Sequence, residues 1–223
     1  MMFFKKKKKG AGVLSGGGGA AVPWYLAGGI PLANCLAAYA PKGAASLVAS
    51  YINLANPGTY DAAPGTAPAW SAGGGWAFTA GSLHWLETGI TPISGMGVIV
   101  QFSDIVGNDV YLFGSQNVNA NFMILPTLGG TSVRYGNGAT KDVATAVLSG
   151  NLGMAGQTAY RNGVAEGGAA IGAFSGTAAY TINIGRNNRA TPSGYLTGKI
   201  QAIAFYYPYP DPAQMAALAA SLP

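Results

Sequence analysis

The clearest structural signal in the sequence is the stretch Gly194-Tyr195-Leu196-Thr197-Gly198-Lys199-Ile200-Gln201-Ala202-Ile203-Ala204-Phe205-Tyr206-Tyr207. One parity of this stretch carries mostly apolar side chains: Leu196, Ile200, Ala202, Ala204 and Tyr206. The other parity carries Thr197, Lys199, Gln201, Ile203 and Phe205. A period of two residues, with β-branched and aromatic side chains, is typical of a β-strand. The pattern therefore predicts a long strand close to the end of the chain.

A helix is predicted after this strand. Pro210-Asp211-Pro212 interrupts the alternation, and proline cannot continue a hydrogen-bonded ladder. Asp211 is a good N-cap residue and Pro212 suits the first turn of a helix. We therefore expect a short helix over residues 213–222.

Upstream of these elements, short apolar segments alternate with Gly, Pro and Asn. The pattern predicts strands over residues 35–40, 69–71, 75–79, 82–89, 95–102, 110–115, 121–126, 133–136, 150–158 and 180–186. Segment 95–102 is expected to be central, and 110–115 is expected to pair with 121–126. Asn162-Gly163 predicts a tight hairpin turn, because both residues tolerate positive φ. Many short strands of this kind indicate a single β-sandwich.

Several of these segments resemble the laminin-G-like domains of the concanavalin A-like lectin/glucanase superfamily. The resemblance rests on Gly-Tyr-Leu-Thr-Gly-Lys-Ile (194–200), Gly-Gly-Trp-Ala-Phe (74–78), Leu-His-Trp-Leu-Glu-Thr-Gly (83–89) and Tyr-Arg-Asn-Gly (160–163). It covers residues 34–222 and implies an all-β, antiparallel jelly-roll β-sandwich with a short C-terminal helix. We therefore divide the chain into an extended N-terminal arm, residues 1–31, and a sandwich, residues 32–223.

The charge of the chain is concentrated in its N-terminal tail. Only 9% of the residues are charged, against about 25% in an average soluble protein. Such a surface suits either a subunit of an assembly or a weakly charged secreted domain. Five of the twelve basic residues are Lys5, Lys6, Lys7, Lys8 and Lys9, and the remaining seven balance the seven acidic residues. The net charge of +5 therefore comes from the tail. The sandwich itself is neutral and has no overall positive potential that would attract nucleic acid.

The N-terminal arm combines two kinds of sequence. The five lysines and the glycine-rich segment after them predict a flexible tail. This tail lacks the continuous apolar block of a signal peptide, so we expect no membrane association. Trp24, Tyr25 and Leu26 are too apolar for a free linker. They are expected to dock either on their own domain or on a neighbouring subunit. The second option would make residues 1–31 an attachment arm, with Lys5–Lys9, Trp24, Tyr25 and Leu26 as its attachment residues.

The acidic residues do not form the pattern of a glycosidase. A glycosidase needs two carboxylates flanking the sugar, and one strand supplies them at positions two or four residues apart. No two of the seven acidic residues have such a spacing, and His84, the only histidine, stands beside no Ser or Cys motif. We therefore predict that the protein is not an enzyme.

Cofactors are not expected, and calcium is left open. The asparagine-containing loops at 108–109, 117–119 and 187–188 carry oxygen donors that Ca²⁺ accepts, but asparagine is also an ordinary turn residue. The only cysteine, Cys35, lies in an apolar run and is predicted to be a buried, inert thiol.

Two groups of residues are candidates for ligand binding. Tryptophans 70, 76 and 85 and tyrosines 206, 207 and 209 either form a platform for sugar rings or fill the core. The segment Arg186-Asn187-Asn188-Arg189 either pairs with acidic sugars or partner carboxylates or is a solvated turn. The candidate ligand-binding residues are therefore Trp85, Arg186, Asn187, Asn188, Arg189 and Tyr209.

A second resemblance suggests where the protein works. Pro-Trp-Tyr-Leu-Ala-Gly-Gly-Ile-Pro (23–31) and Ala-Tyr-Ala-Pro-Lys-Gly-Ala-Ala-Ser-Leu (38–47) resemble phage and prophage proteins with laminin-G-like domains. This resemblance implies a virion structural or decoration protein on a capsid or tail. Its expected partners are other virion subunits and copies of itself, with nonspecific phosphate contacts by Lys5–Lys9. The alternative is a carbohydrate-binding module on a cell or virion surface that binds host glycans, with an extracellular location.

Overall fold

The computed structural model describes residues 21–168 and 170–223. Their strands are β1 (Cys35–Tyr39), β2 (Ala63–Thr66), β3 (Ala69–Ser71), β4 (Gly75–Phe78), β5 (Trp85–Glu87), β6 (Gly97–Ser103), β7 (Phe113–Ser115), β8 (Asn121–Leu128), β9 (Ser132–Ala144), β10 (Gly150–Ala155), β11 (Thr158–Arg161), β12 (Val164–Ala165), β13 (Asn183–Ile184), β14 (Asn187–Asn188) and β15 (Gly198–Tyr206). The α-helices are α1 (Leu47–Ser50) and α2 (Pro212–Ser221), and short 3₁₀ helices span Trp24–Gly29, Leu32–Asn34 and Ala80–Ser82.

The strands form two sheets of a jelly-roll β-sandwich, which confirms the predicted fold. The first sheet has the order β12-β11-β10-β6-β15-β4-β3, and β1 also pairs with β15. The second has the order β2-β5-β13-β7-β8-β9. Pairing is antiparallel except for β14, which runs parallel to β7. As predicted, β6 is central and β7 pairs with β8.

A β-bulge divides the long strand β15 into two halves. Its register against β6 shifts between Ile200 and Ala202, and such a shift exchanges the faces of the following side chains. Ile200 before the shift and Phe205 after it therefore both lie in the core between the sheets, whereas Tyr206 lies on the opposite face. The predicted long strand is confirmed, and the bulge changes which parity faces the core beyond Gln201.

A second core covers the outer face of the first sheet. Its buried members include Cys35, Ile99, Tyr206, Met215 and Leu218. Burial raises the pKa of the Cys35 thiol to about 12, so this thiol stays protonated at physiological pH. The predicted buried, inert cysteine fits this position.

The predicted attachment residues Trp24, Tyr25 and Leu26 pack against the second core. The Tyr206 hydroxyl donates to the carbonyl oxygen of Tyr25 over 3.2 Å, and the Ser221 hydroxyl donates to that of Trp24 over 3.1 Å. The sequence left open whether these three residues dock on their own domain or on a neighbouring subunit. In the structure they dock on their own domain. Lys5–Lys9 lie outside the described residues, and the division at residue 31 stays a prediction.

The C-terminal helix begins as the sequence predicts. Asp211 accepts a hydrogen bond from the Gln214 amide, and the Gln214 side chain accepts one from the Asp211 amide, which forms a capping box. Met215 and Leu218 face the second core. Within residues 21–168 and 170–223, no helix combines the length and the apolar character needed to cross a bilayer.

Truncation of Trp24 should destabilise the fold. Replacing a large core aromatic residue by alanine costs roughly 3–5 kcal/mol, and the Trp24 side chain is half-buried. We therefore expect Trp24→Ala to lower the free energy of unfolding in urea by about 2 kcal/mol. Val22→Ala is the control, because Val22 is 70% exposed and a surface change of this kind costs about 0.5 kcal/mol or less. Equal stabilities of the two variants would contradict the observed docking.

Candidate functional site

A cavity opens at one end of the sandwich, where three strands of the first sheet end together. Gly97 of β6 is paired with both Ala155 of β10 and Tyr206 of β15. The chain segments that continue from these ends line a cavity of about 520 Å³. The wall is completed from the second sheet by Asn137 of β9 and from a loop by Phe174. We call this space the end cavity.

Asn137 is the buried polar group of the end cavity. The residue is 3% exposed. The amide nitrogen donates to the carbonyl oxygens of Gly156 over 2.7 Å and of Met96 over 3.4 Å. Because both neighbours are hydrogen-bond acceptors, the amide group is oriented with its nitrogen toward them and its oxygen away from them. The amide oxygen, Oδ1, is buried without a hydrogen-bond partner, a situation that costs roughly 1–3 kcal/mol.

Tyr209 supplies an aromatic surface to the same cavity. Its backbone amide donates to the carbonyl oxygen of Gly95 over 2.9 Å, and 48% of the residue is exposed. The ring lies against Gly156, where a Cβ atom would be 2.8 Å from Cζ of Tyr209. Gly156 also has a φ of +55°, a conformation that other residues adopt rarely. Glycine at this turn therefore allows the ring to approach the backbone closely.

The end cavity carries no formal charge. Its lining contains neither acidic nor basic side chains. Tyr160 also lines it, and burial, followed by the charge of Asp211, raises the pKa of the Tyr160 phenol. This phenol therefore stays neutral at physiological pH. The combination of amide, hydroxyl and aromatic groups suits a neutral, hydroxyl-rich ligand.

Trp85 and Arg186 come together but do not form an open site. The guanidinium carbon of Arg186 lies 3.4 Å from the centroid of the Trp85 ring, a cation–π contact. Arg186 also donates from Nε to Oδ1 of Asn183 over 2.8 Å and from Nη1 to the Tyr195 hydroxyl over 3.2 Å. Protein groups occupy these contacts, and the ligand-binding role of this pair stays a prediction.

Asn187 and Asn188 also have structural partners. The Asn187 residue is fully buried, and its amide donates to Oε1 of Gln116 over 2.5 Å. The Asn188 amide donates to the carbonyl oxygen of Thr181 over 2.9 Å. Both residues belong to β14 and not to a solvated turn, and their ligand-binding role stays a prediction. The adjacent Arg189 is exposed.

The structure thus separates the predicted ligand-binding residues. Tyr209 lines the end cavity, whereas Arg189 lines a different cavity. Trp76 and Tyr206 fill the two cores, so the predicted aromatic residues form no common platform. Sequence reasoning missed Asn137. The signal was present, since Gly136 and Gly138 flank Asn137 inside a strand and such glycines indicate a close approach of other backbone.

All seven carboxylates have protein partners. Asp104, Asp142 and Glu166 form salt bridges with Lys199, Arg134 and Arg161. The other four accept hydrogen bonds from amides: Asp61, Glu87, Asp109 and Asp211. None of the seven lines the end cavity.

The single histidine and the potential metal ligands form no reactive cluster. Nδ1 of His84 accepts a hydrogen bond from the Thr79 amide over 3.1 Å. In the described part of the chain, no group of three or more His, Cys, Asp or Glu side chains lies close enough to hold a metal ion. Calcium binding by asparagine oxygens stays a prediction.

Comparisons with known proteins identify the fold. No protein-family model matches the sequence, and no curated protein matches it significantly. Domain 4 of an extracellular arabinanase from Geobacillus stearothermophilus, solved in complex with arabinotriose, is similar with a TM-score of 0.52 and 16% identity. That match covers 83% of this chain and 98% of the arabinanase domain.

Two larger proteins contain similar domains. Botulinum neurotoxin type C, which requires interaction with two ganglioside molecules to enter cells, matches with a TM-score of 0.58 and 8% identity, over 86% of this chain and 52% of the toxin chain. A mutant Trypanosoma rangeli sialidase with trans-sialidase activity matches with a TM-score of 0.55 and 13% identity. That match covers 85% of this chain but one third (33%) of the sialidase. At identities of 8–16%, these similarities show a shared β-sandwich fold.

The two arginines should differ in their effect on stability. Arg186 holds an aromatic ring and two polar side chains, whereas Nε of Arg189 donates to the nearby carbonyl oxygen of Thr191. We expect Arg186→Gln to lower the free energy of unfolding by about 1–2 kcal/mol, because a hydrogen bond from a charged donor contributes roughly 1.5–3 kcal/mol and the residue is partly exposed. Arg189→Gln should change it by about 0.5 kcal/mol or less. Urea unfolding of both variants tests this, and a larger loss for Arg189→Gln would refute it.

Proposed function

We propose that the sandwich is a non-catalytic carbohydrate-binding module whose end cavity holds a neutral sugar. The observation that carries this proposal is the unpartnered Oδ1 of Asn137 beside the half-exposed ring of Tyr209. The cavity volume of about 520 Å³ is within the range of roughly 300–1,000 Å³ that is usual for ligand sites.

Asn137 favours a ligand that donates hydrogen bonds. Its Oδ1 is buried, so a ligand hydroxyl that reaches it would replace an unsatisfied acceptor by a hydrogen bond. The side chain is held in place by the carbonyl oxygens of Met96 and Gly156. It would therefore lose little conformational entropy on binding, which favours affinity.

Tyr209 favours a ligand with an apolar face. An exposed aromatic ring fixed against Gly156 offers a rigid contact area beside a polar hydroxyl. A pyranose or furanose ring presents carbon-bound hydrogens on its faces and hydroxyl groups at its edge. The two residues together match both chemical features of a sugar.

The similar structures support this proposal at the level of the fold. The arabinanase domain was solved with arabinotriose and is similar over nearly its whole length. The neurotoxin depends on gangliosides. Because the identities are 16% and 8%, these proteins suggest a carbohydrate ligand but do not identify it.

The state of the carboxylates supports a binding role rather than hydrolysis. General acid catalysis of glycoside cleavage needs a carboxyl group beside the bound sugar. Every carboxylate of this chain makes hydrogen bonds or ion pairs with protein groups, and the end cavity has none. We propose that binding proceeds without a cofactor.

The virion role inferred from the sequence resemblance stays a prediction. It rests on the resemblance of residues 23–31 and 38–47, and it needs virion partners, self-association and an attachment arm whose Lys5–Lys9 lie outside the described residues. The location on a virion or outside a cell is likewise a proposal. A carbohydrate-binding module is compatible with both locations.

A pair of tyrosine variants tests the proposed function. The wild-type protein should bind at least one neutral oligosaccharide of a broad glycan panel, and titration calorimetry should show that Tyr209→Ala raises its Kd at least tenfold. Such a loss corresponds to about 1.4 kcal/mol, in the range expected for an aromatic contact. Tyr207→Ala is the matched control, since Tyr207 is 45% exposed and does not line the end cavity.

Two results would reject the proposed function. One is the absence of binding to every glycan of the panel. The other is an unchanged Kd of Tyr209→Ala for the bound oligosaccharide, which would place the site elsewhere on the sandwich.

A further inference from the structure

A second cavity lies beside the end cavity and has a different chemical character. Its volume is about 410 Å³. The lining is rich in amide groups and contains one aromatic ring and one cation: Gln116, Asn117, Asn119, Asn121, Tyr180 and Arg189. No carboxylate lines it. We call this space the arginine cavity.

The two cavities share a wall. Asn121 of the arginine cavity is paired with Gly138, the neighbour of Asn137, and its amide donates to the Gly138 carbonyl oxygen over 2.7 Å. The Ser175 amide donates to the carbonyl oxygen of Asn119 over 3.0 Å, directly after Phe174, which lines the end cavity. The two cavities are therefore neighbours on either side of this wall.

Arg189 has unused hydrogen-bonding capacity. Its Nε donates to the carbonyl oxygen of Thr191 over 3.1 Å. Toward the rest of the described chain, its two terminal nitrogens make no hydrogen bond and no salt bridge. In contrast, Arg134 and Arg161 are both paired with carboxylates. Arg189 is thus a cation without an internal anion, and a guanidinium recognises a carboxylate by two parallel hydrogen bonds.

The polar groups around Arg189 are partly held in place by the protein. Oε1 of Gln116 accepts from the Asn187 amide over 2.5 Å, and the Asn117 amide donates to the carbonyl oxygen of Thr177 over 3.1 Å. Oδ1 of Asn121 is shielded from solvent and has no partner. A ligand hydroxyl that reaches this oxygen would satisfy it.

We propose that the arginine cavity is a second subsite that binds a carboxylate-bearing sugar. Arg189 pairs with the carboxylate, and Asn121 accepts a hydrogen bond from a ring hydroxyl. This inference rests on the proposed function, because it assigns the neutral ring of the same glycan to the end cavity. The protein therefore binds acidic oligosaccharides more tightly than neutral ones. The difference in binding free energy is electrostatic and decreases as the ionic strength rises.

Matched acidic and neutral glycans test this proposal. We would measure the Kd of the full-length protein for two pairs of glycans. The first pair is 3′-sialyllactose and lactose, and the second is trigalacturonic acid and its methyl ester. The first pair tests a sialic acid and the second a uronic acid. We expect the acidic member of at least one pair to bind about tenfold more tightly at 50 mM NaCl, and the preference to decrease at 500 mM NaCl.

Variants then assign this preference to one residue. Arg189→Gln should abolish the acidic preference and leave the Kd for the neutral glycan unchanged, whereas Arg189→Lys should retain part of it, since lysine keeps the charge without the bidentate geometry. Lys42→Gln removes a positive charge outside the arginine cavity and should have no effect. Tyr209→Ala should weaken the acidic and the neutral glycan alike.

The outcomes separate the two proposals. Neutral binding without an acidic preference, or an acidic preference that survives Arg189→Gln, overturns the second subsite and leaves the end cavity as the sugar site. Loss of binding to every glycan in the wild-type protein overturns the proposed function together with the subsite.

Discussion

The register shift at Gln201 is the constraint on which both cores depend. Before the shift, β15 directs Ile200 into the core between the sheets, and after it Phe205 takes that role. The same shift turns Tyr206 to the outer face, where it packs with Met215 of α2 and bonds to Tyr25. Without the extra residue, the second half of β15 would present its side chains to the wrong layers.

The second core in turn positions the end cavity. Pro210 and Pro212 lead the chain from β15 into α2, and α2 is held by the second core. Tyr209 lies between these two anchored elements and against Gly156 of the β10–β11 turn. The candidate site is therefore built on segments fixed at both ends, which favours a preorganised surface.

Local patterns in the sequence were sufficient for much of the fold. Alternation predicted β15, and Asp211-Pro212 predicted the start of α2, because both signals lie within a few neighbouring residues. The bulge at Gln201 was not predicted, since it depends on pairing with β6. The short strand β14 was missed for the same reason, as its residues pair with β7 and not with near neighbours.

The candidate site was less accessible to sequence reasoning. Tyr209 was identified from its residue type. Asn137 was not, because its bonded carbonyl groups belong to residues 41 and 19 positions away along the chain. Arg186 and Arg189 look equivalent in sequence. Only the tertiary structure shows that Arg186 stacks on Trp85 and that Arg189 does not. Whether a polar group is paired depends on the fold, and the unpaired groups of Asn137 and Arg189 lie in the two cavities.

The most direct test of this account is an NMR titration of ¹⁵N-labelled protein with the oligosaccharide that binds best in the glycan panel. The side-chain amide of Asn137 and the backbone amides of Gly156 and Tyr209 should shift with a common Kd, because their groups line or support the end cavity. Shifts confined to the region of Trp85 and Arg186, or to α2 and residues 24–29, would contradict it.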